Sequence, residues 1–163
     1  MHVNLSSAQL DDPLLAASTR AVLTATGLPA ESLWLEVAER GELPVGIHES
    51  IVALDVEGVR STPDDFGISD SNLAHLERFP PDGLKIDRSF VSGTTEEDVD
   101  SVIIRAILAI ADWRGLSVVA EGAETRGQRD TLQALGRGFV QGYLFSRPVP
   151  AEEVPRPLHG TGR

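Results

Sequence analysis

Eight polar residues stand at or beside the ends of short apolar runs: Asn4, Glu36, Asp64, Asp65, Lys85, Asp87, Glu121 and Gln141. Singly, each reads as a helix cap or a loop solvation group. As a set following six successive apolar runs, they read as a site. One amide and several carboxylates supply hard oxygen ligands, which suit Mg²⁺ or Mn²⁺ rather than zinc. The adjacent Asp64 and Asp65 can bridge two such ions about 3.5–4 Å apart, and Lys85 is placed to orient a water. That donor set points to metal-assisted phosphodiester hydrolysis.

The elements that must position these residues follow from periodicity and punctuation. Strands are predicted at Val3–Leu5, Leu33–Ala38, Val59–Asp64, Leu84–Asp87, Leu116–Ala120 and Phe139–Gln141. Helices are predicted between them. One spans Asp12–Thr26, with Asp12 and Pro13 as its start signals and Gly27 as its stop. Others span Ile47–Glu57 up to Gly58, Ser71–Phe79 before Pro80 and Pro81, and Glu124–Leu135. The longest opens at Thr94 or Thr95 and runs to Trp113, with Val102, Ile103, Ala106, Ile107 and Ile110 as its core face. Six βα units fit a doubly wound sheet or part of an eight-stranded barrel. No glycine-rich phosphate loop follows a strand, which disfavours a dinucleotide fold. A barrel sets functional side chains at the strand ends, where this chain keeps its polar residues.

The 163 residues suit one domain with a core, being 41% hydrophobic and 24% charged. There is no cysteine, which excludes disulfides and thiolate metal sites and fits a cytoplasmic location. No basic leader is seen, and no run approaches the roughly 20 apolar residues of a membrane span. A net charge of −11 argues against DNA or RNA as partners, which demand clustered Lys and Arg. An acidic chain still accepts a phosphodiester where cations invert the local charge.

Six strings carry a resemblance. They are Val3-Asn4-Leu5-Ser6, Leu35-Glu36-Val37-Ala38-Glu39, Asp64-Asp65-Phe66-Gly67, Leu84-Lys85-Ile86-Asp87-Arg88-Ser89-Phe90, Val118-Val119-Ala120-Glu121-Gly122-Ala123-Glu124-Thr125 and Gln141-Gly142-Tyr143-Leu144-Phe145-Ser146-Arg147-Pro148. In that order they resemble the EAL family, over nearly the whole chain to about Pro150. The resemblance implies a TIM-type (β/α) barrel and an enzyme that linearises cyclic di-GMP to pGpG with two Mg²⁺ or Mn²⁺ ions. Asn4, Glu36, Asp64 and Asp65 then resemble metal ligands. Glu121 is similar to the glutamate at the metal–water centre and Lys85 to the lysine holding the nucleophilic water. Asp87 resembles a guanine contact and Gln141 a residue lining the site. Glu39 is similar to a loop-anchoring glutamate, and Glu124 is placed with it.

The match departs from the family at three places. The Glu-Ala-Leu signature and the arginine after it belong before Asn4, so residues 1–150 are expected to be a partial domain with six of eight barrel strands, followed by a frayed tail at 151–163. The loop Ile68-Ser69-Asp70-Ser71-Asn72 stands where the family has Thr-Gly-Tyr-Ser-Ser. Ser61-Thr62-Pro63 replaces aliphatic strand residues, and a proline there threatens the placement of Asp64. The expectation is therefore a cyclic di-GMP phosphodiesterase domain, inactive or weak as this isolated chain, with a homo-oligomer or partner covering the open edges. The alternative is a degenerate EAL module acting in nucleotide binding or protein interaction.

Overall fold

The computed structural model describes residues 1–38, 47–64, 66, 76, 81–92, 99–136 and 139–154. Glu39, Asp65, the loop 68–72, most of the helix expected at 71–79 and the helix start at Thr94–Glu97 lie outside the described residues. Among those residues the chain alternates strands and helices. β1 (His2–Leu5), the short α1 (Ser7–Leu10), α2 (Leu15–Thr26), β2 (Trp34–Ala38), α3 (Ile47–Val56), β3 (Arg60–Asp64) and β4 (Gly83–Ile86) come first. α4 (Arg88–Ser92), α5 (Val99–Arg114), β5 (Ser117–Ala120), α6 (Arg126–Leu135) and β6 (Phe139–Val140) follow. The strands form two parallel-stranded groups, ordered β1-β2-β3 and β4-β5-β6. Mixed α/β structure with parallel strands is thus established.

Two compact units divide the chain: Met1–Lys85 with Gly115–Ser117, and Ile86–Arg114 with Val118–Arg163. In the first, a parallel register pairs Leu35 with Val3 and Ser61, and Glu36 with Asn4 and Thr62. Side chains alternate across a strand, so one face carries Leu5, Leu35 and Val37. These pack with Leu10, Leu15, Leu33, Ile51, Leu54 and Val59 into one core. Each fully buried leucine there contributes about 1.5–3 kcal/mol. The opposite face carries His2, Asn4, Trp34, Glu36, Arg60, Thr62 and Asp64, and the polar chemistry lies on it.

Pro63 does not displace Asp64. β3 runs through it in register, with Val37 opposite Pro63 and Ala38 opposite Asp64. The reason is directional. Arg60 N–H donates to Leu33 O at 3.0 Å, so even-numbered amides of β3 face β2 and odd-numbered ones face away. The N–H that proline lacks is therefore not needed on the β2 side. On the other side, Asp82 N–H donates to Ser61 O at 2.9 Å. The next ladder bond would require an amide hydrogen at position 63. Side chains supply the link instead: Ser61 N–H donates to the Asp82 carboxylate at 2.8 Å and the Thr62 hydroxyl to Gly83 O at 3.1 Å. The Ser-Thr-Pro departure thus sits at the break between the two groups of strands.

Other expectations need correction. Asp12 is not the N-cap of α2; the cap is Leu14, and the Asp12 carboxylate accepts from Leu14 N–H at 2.8 Å in the preceding turn. Gly27 does close that helix, in the left-handed conformation at φ 68°. In the second unit the buried row of α5 is Ser101, Ile104, Ile107 and Ala111, whereas Val102 is 65% exposed and Ala106 is exposed. Apolar residues lie on most sides of this helix, and Ser101 in the buried row hid the true stripe. The turn α4 went unrecognised because it is only five residues long.

Candidate active site

On the polar face of the first unit, the parallel register brings Asn4 and Glu36 side by side, with Asp64 one step further along β3. Lys85, projecting from β4, is 4% exposed. Its Nζ donates to Glu36 Oε2 at 2.6 Å and to Asp64 Oδ1 at 3.0 Å. His2 Nδ1–H donates to the other Glu36 oxygen at 2.9 Å. Glu36 is 5% exposed, and a carboxylate that buried must be paired and hydrogen-bonded. Asp64 remains half-open, its side chain 23% exposed.

Of the expected ligands, the structure thus unites Glu36 and Asp64 through Lys85 and sets Asn4 beside Glu36. Among the described residues no group of three or more His, Asp or Glu side chains is gathered to hold a metal; Asp65 and Glu39 lie outside them. The donor chemistry nonetheless fits a hard divalent ion. Two carboxylates converge on one cationic position, held by the Lys85 ammonium, with an amide in the adjoining register.

The second unit has its own cavity of about 550 Å³, lined by Arg88, Glu121, Glu124, Gln128, Gln141 and Tyr143 among others. Strand ends build it. Glu121 N–H donates to Ile86 O at 3.0 Å and Gln141 N–H to Ala120 O at 2.8 Å, so both residues leave their strands beside each other. Two glycines permit the close packing behind it. Gly122, at φ 75°, lies where a Cβ would fall 2.4 Å from Arg88 Cβ; at Gly142 a Cβ would meet the Ala123 carbonyl oxygen at 2.1 Å. Thr125 and Gln128 form a capping box on α6, and Gln128 Oε1 also accepts from Glu124 N–H at 2.8 Å. Glu124 itself is exposed at the cavity wall.

Asp87 is not among the lining residues. Its carboxylate accepts from Ser89 N–H at 2.7 Å, in the first turn of α4. The neighbouring Arg88 lines the cavity instead, a residue sequence reasoning passed over; the cation directly after the strand-end aspartate was the available signal. His2 was missed too, because only strand pairing brings it to Glu36.

Comparison with known proteins identifies the family. A family model described as EAL domain matches residues 1–148. The cyclic di-GMP phosphodiesterase RocR of Pseudomonas aeruginosa is 36% identical over 151 residues, covering 91% of this chain and 38% of RocR. Among solved structures, the PaMucR phosphodiesterase in complex with c-di-GMP is 37% identical, with a TM-score of 0.84 over 94% of this chain and 69% of that one. Klebsiella pneumoniae BlrP1, solved with manganese and cyclic di-GMP, is 31% identical with a TM-score of 0.82, over 90% and 38% of the two chains. This chain spans only about a fifth to two fifths of the length of the curated relatives it matches. With the family model matching residues 1–148, the chain belongs to the EAL domain family, whose fold is TIM-barrel-like.

Proposed function

We propose that this chain carries the metal- and substrate-binding residues of a cyclic di-GMP phosphodiesterase, hydrolysing a phosphodiester bond to give pGpG. The observation that carries the reading is Lys85 held between the Glu36 and Asp64 carboxylates at 2.6 and 3.0 Å. Asn4, Glu36, Asp64, Asp65 and Glu121 would hold two Mg²⁺ or Mn²⁺ ions, which when bound offset phosphate charge and acidify a water. Lys85 holds that water's position by donating from Nζ. Gln141, from the cavity of the second unit, and Asp87 meet the nucleotide, while Glu39 and Glu124 anchor loops. In this reading residues 1–150 form one partial EAL barrel with six of its eight strands, 151–163 form a tail, and the location is cytoplasmic. In this reading a second copy or a partner covers the open strand edges.

In this reading turnover by this chain alone is weak. A second reading, a module that binds nucleotide or protein without turnover, draws on the exposed Phe139, Tyr143 and Phe145 around β6. The deciding experiment follows pGpG release and cyclic di-GMP binding with Mn²⁺, with and without EDTA, in the wild type and in Asp64→Asn. Slow, EDTA-sensitive hydrolysis that Asp64→Asn abolishes is expected. Metal-independent binding with no pGpG at any enzyme concentration favours the second reading, and no binding at all removes the first.

A further inference from the structure

A row of rings lies one step before the acidic row on the same strands. The register pairs His2 with Trp34 and Trp34 with Arg60, two residues ahead of Asn4, Glu36 and Thr62. The His2 and Trp34 rings are stacked, with centroids 5.3 Å apart and planes 9° from parallel. The Arg60 guanidinium lies 5.4 Å from the Trp34 ring centroid, within cation–π range. Gly83 leaves room for that ring, since a Cβ there would fall 2.9 Å from Trp34 Cζ3.

We infer that His2 is a positioning residue for the Glu36 carboxylate, with Trp34 holding the imidazole in place. This rests on the proposal that Glu36 is a metal ligand. One bond from Lys85 would leave the carboxylate free to swing about its terminal torsion, which is broad and soft. Lys85 takes Oε2 at 2.6 Å, and His2 Nδ1–H takes Oε1 at 2.9 Å. Two donors on different strands, β4 and β1, fix the plane of the group, and each oxygen keeps a lone pair. A stacked ring has little freedom to withdraw its donor, so the second bond is preformed rather than assembled on ligand binding. Partners of this kind orient a ligand and tune its metal affinity without touching the ion.

The test is Mn²⁺ affinity of the full chain, read from the free-ion electron paramagnetic resonance signal at constant pH, beside a melting curve for each variant. His2→Leu keeps bulk and loses the donor; about a 10–100-fold weaker affinity is expected. His2→Asn, whose amide nitrogen stands near the Nδ1 position, should recover most of it. Trp34→Leu, with His2 present but unstacked, should fall between. A His2→Leu chain that is folded and binds Mn²⁺ within twofold of wild type overturns the inference while leaving the metal reading intact. So does an Asn variant no better than Leu. A wild-type chain that binds no Mn²⁺ overturns the metal reading itself, and this inference with it. Should His2→Leu fail to fold, the wild-type chain still decides: a slowly exchanging His2 Nδ1 proton resonance is expected, and its absence refutes the bond.

Discussion

Replacing Lys85 with methionine isolates the interaction on which the site depends. The side chain is 4% exposed, and its ammonium joins Glu36, also nearly buried, to the partly open Asp64. Methionine fills much of the same volume, so packing changes little and the charge is what is lost. Glu36 would then retain His2 on one oxygen but face Asp64 with no cation between them. Breaking a buried pair by removing one partner costs about 3–5 kcal/mol, a large share of a typical stability of about 5–15 kcal/mol. For a chain of this size the melting temperature should fall by about 6–20 °C. The assay is thermal unfolding followed by circular dichroism in EDTA. The double variant Lys85→Met/Glu36→Gln should regain much of the loss, because it removes the stranded charge too. Mn²⁺ at a hundredfold excess over its dissociation constant should return about 2.7 kcal/mol by replacing the missing cation. A single-variant loss below about 1 kcal/mol, the range of exposed pairs, with no rescue by the second substitution, would refute the reasoning.

Two further outcomes follow from the structure. Gly142→Ala would drive its Cβ against the Ala123 backbone, where the nearest atoms are 2.1 and 2.4 Å away; with no flexible side-chain end to yield, a loss of about 2–4 kcal/mol in urea unfolding is expected. Arg20 donates from both Nε and Nη2 to Glu57 Oε1, and that hydrogen bond holds the Glu57 carboxyl below the usual carboxylate range. A depressed folded-state pKa means the contribution is full above the unfolded value and lost as pH falls through the folded one. Acid unfolding of Glu57→Gln should therefore differ from wild type only above that acidic window, and a difference that grows below it would contradict the assignment.

The order of chemistry along the chain was readable without a fold. Apolar runs closed by polar residues marked strand ends at Asp64 and just before Glu121 and Gln141, and the structure has them there, whereas Glu36 lies in the middle of β2. Helix stops were equally local: Gly27 and Gly58 adopt φ of 68° and 89°, a region where other residues are disfavoured. These signals act within a few residues of chain, and so sequence carries them. The face of α5 was not readable, because its apolar residues surround the helix and only the neighbouring elements choose which of them to bury. Pro63 looked like a threat to Asp64 until strand pairing showed which way the odd-numbered amides point. That the Asp87 carboxylate also accepts from Ser89 N–H in the first turn of α4, and that Arg88 lines the cavity, were likewise visible only in the structure. The contacts of Glu36 with His2 and Lys85 span 34 and 49 residues of sequence. Residue types and local periodicity therefore determined what chemistry this chain carries. Which carboxylate meets which cation was decided only when parallel pairing set the register, since register is a property of two strands and neither contains it alone.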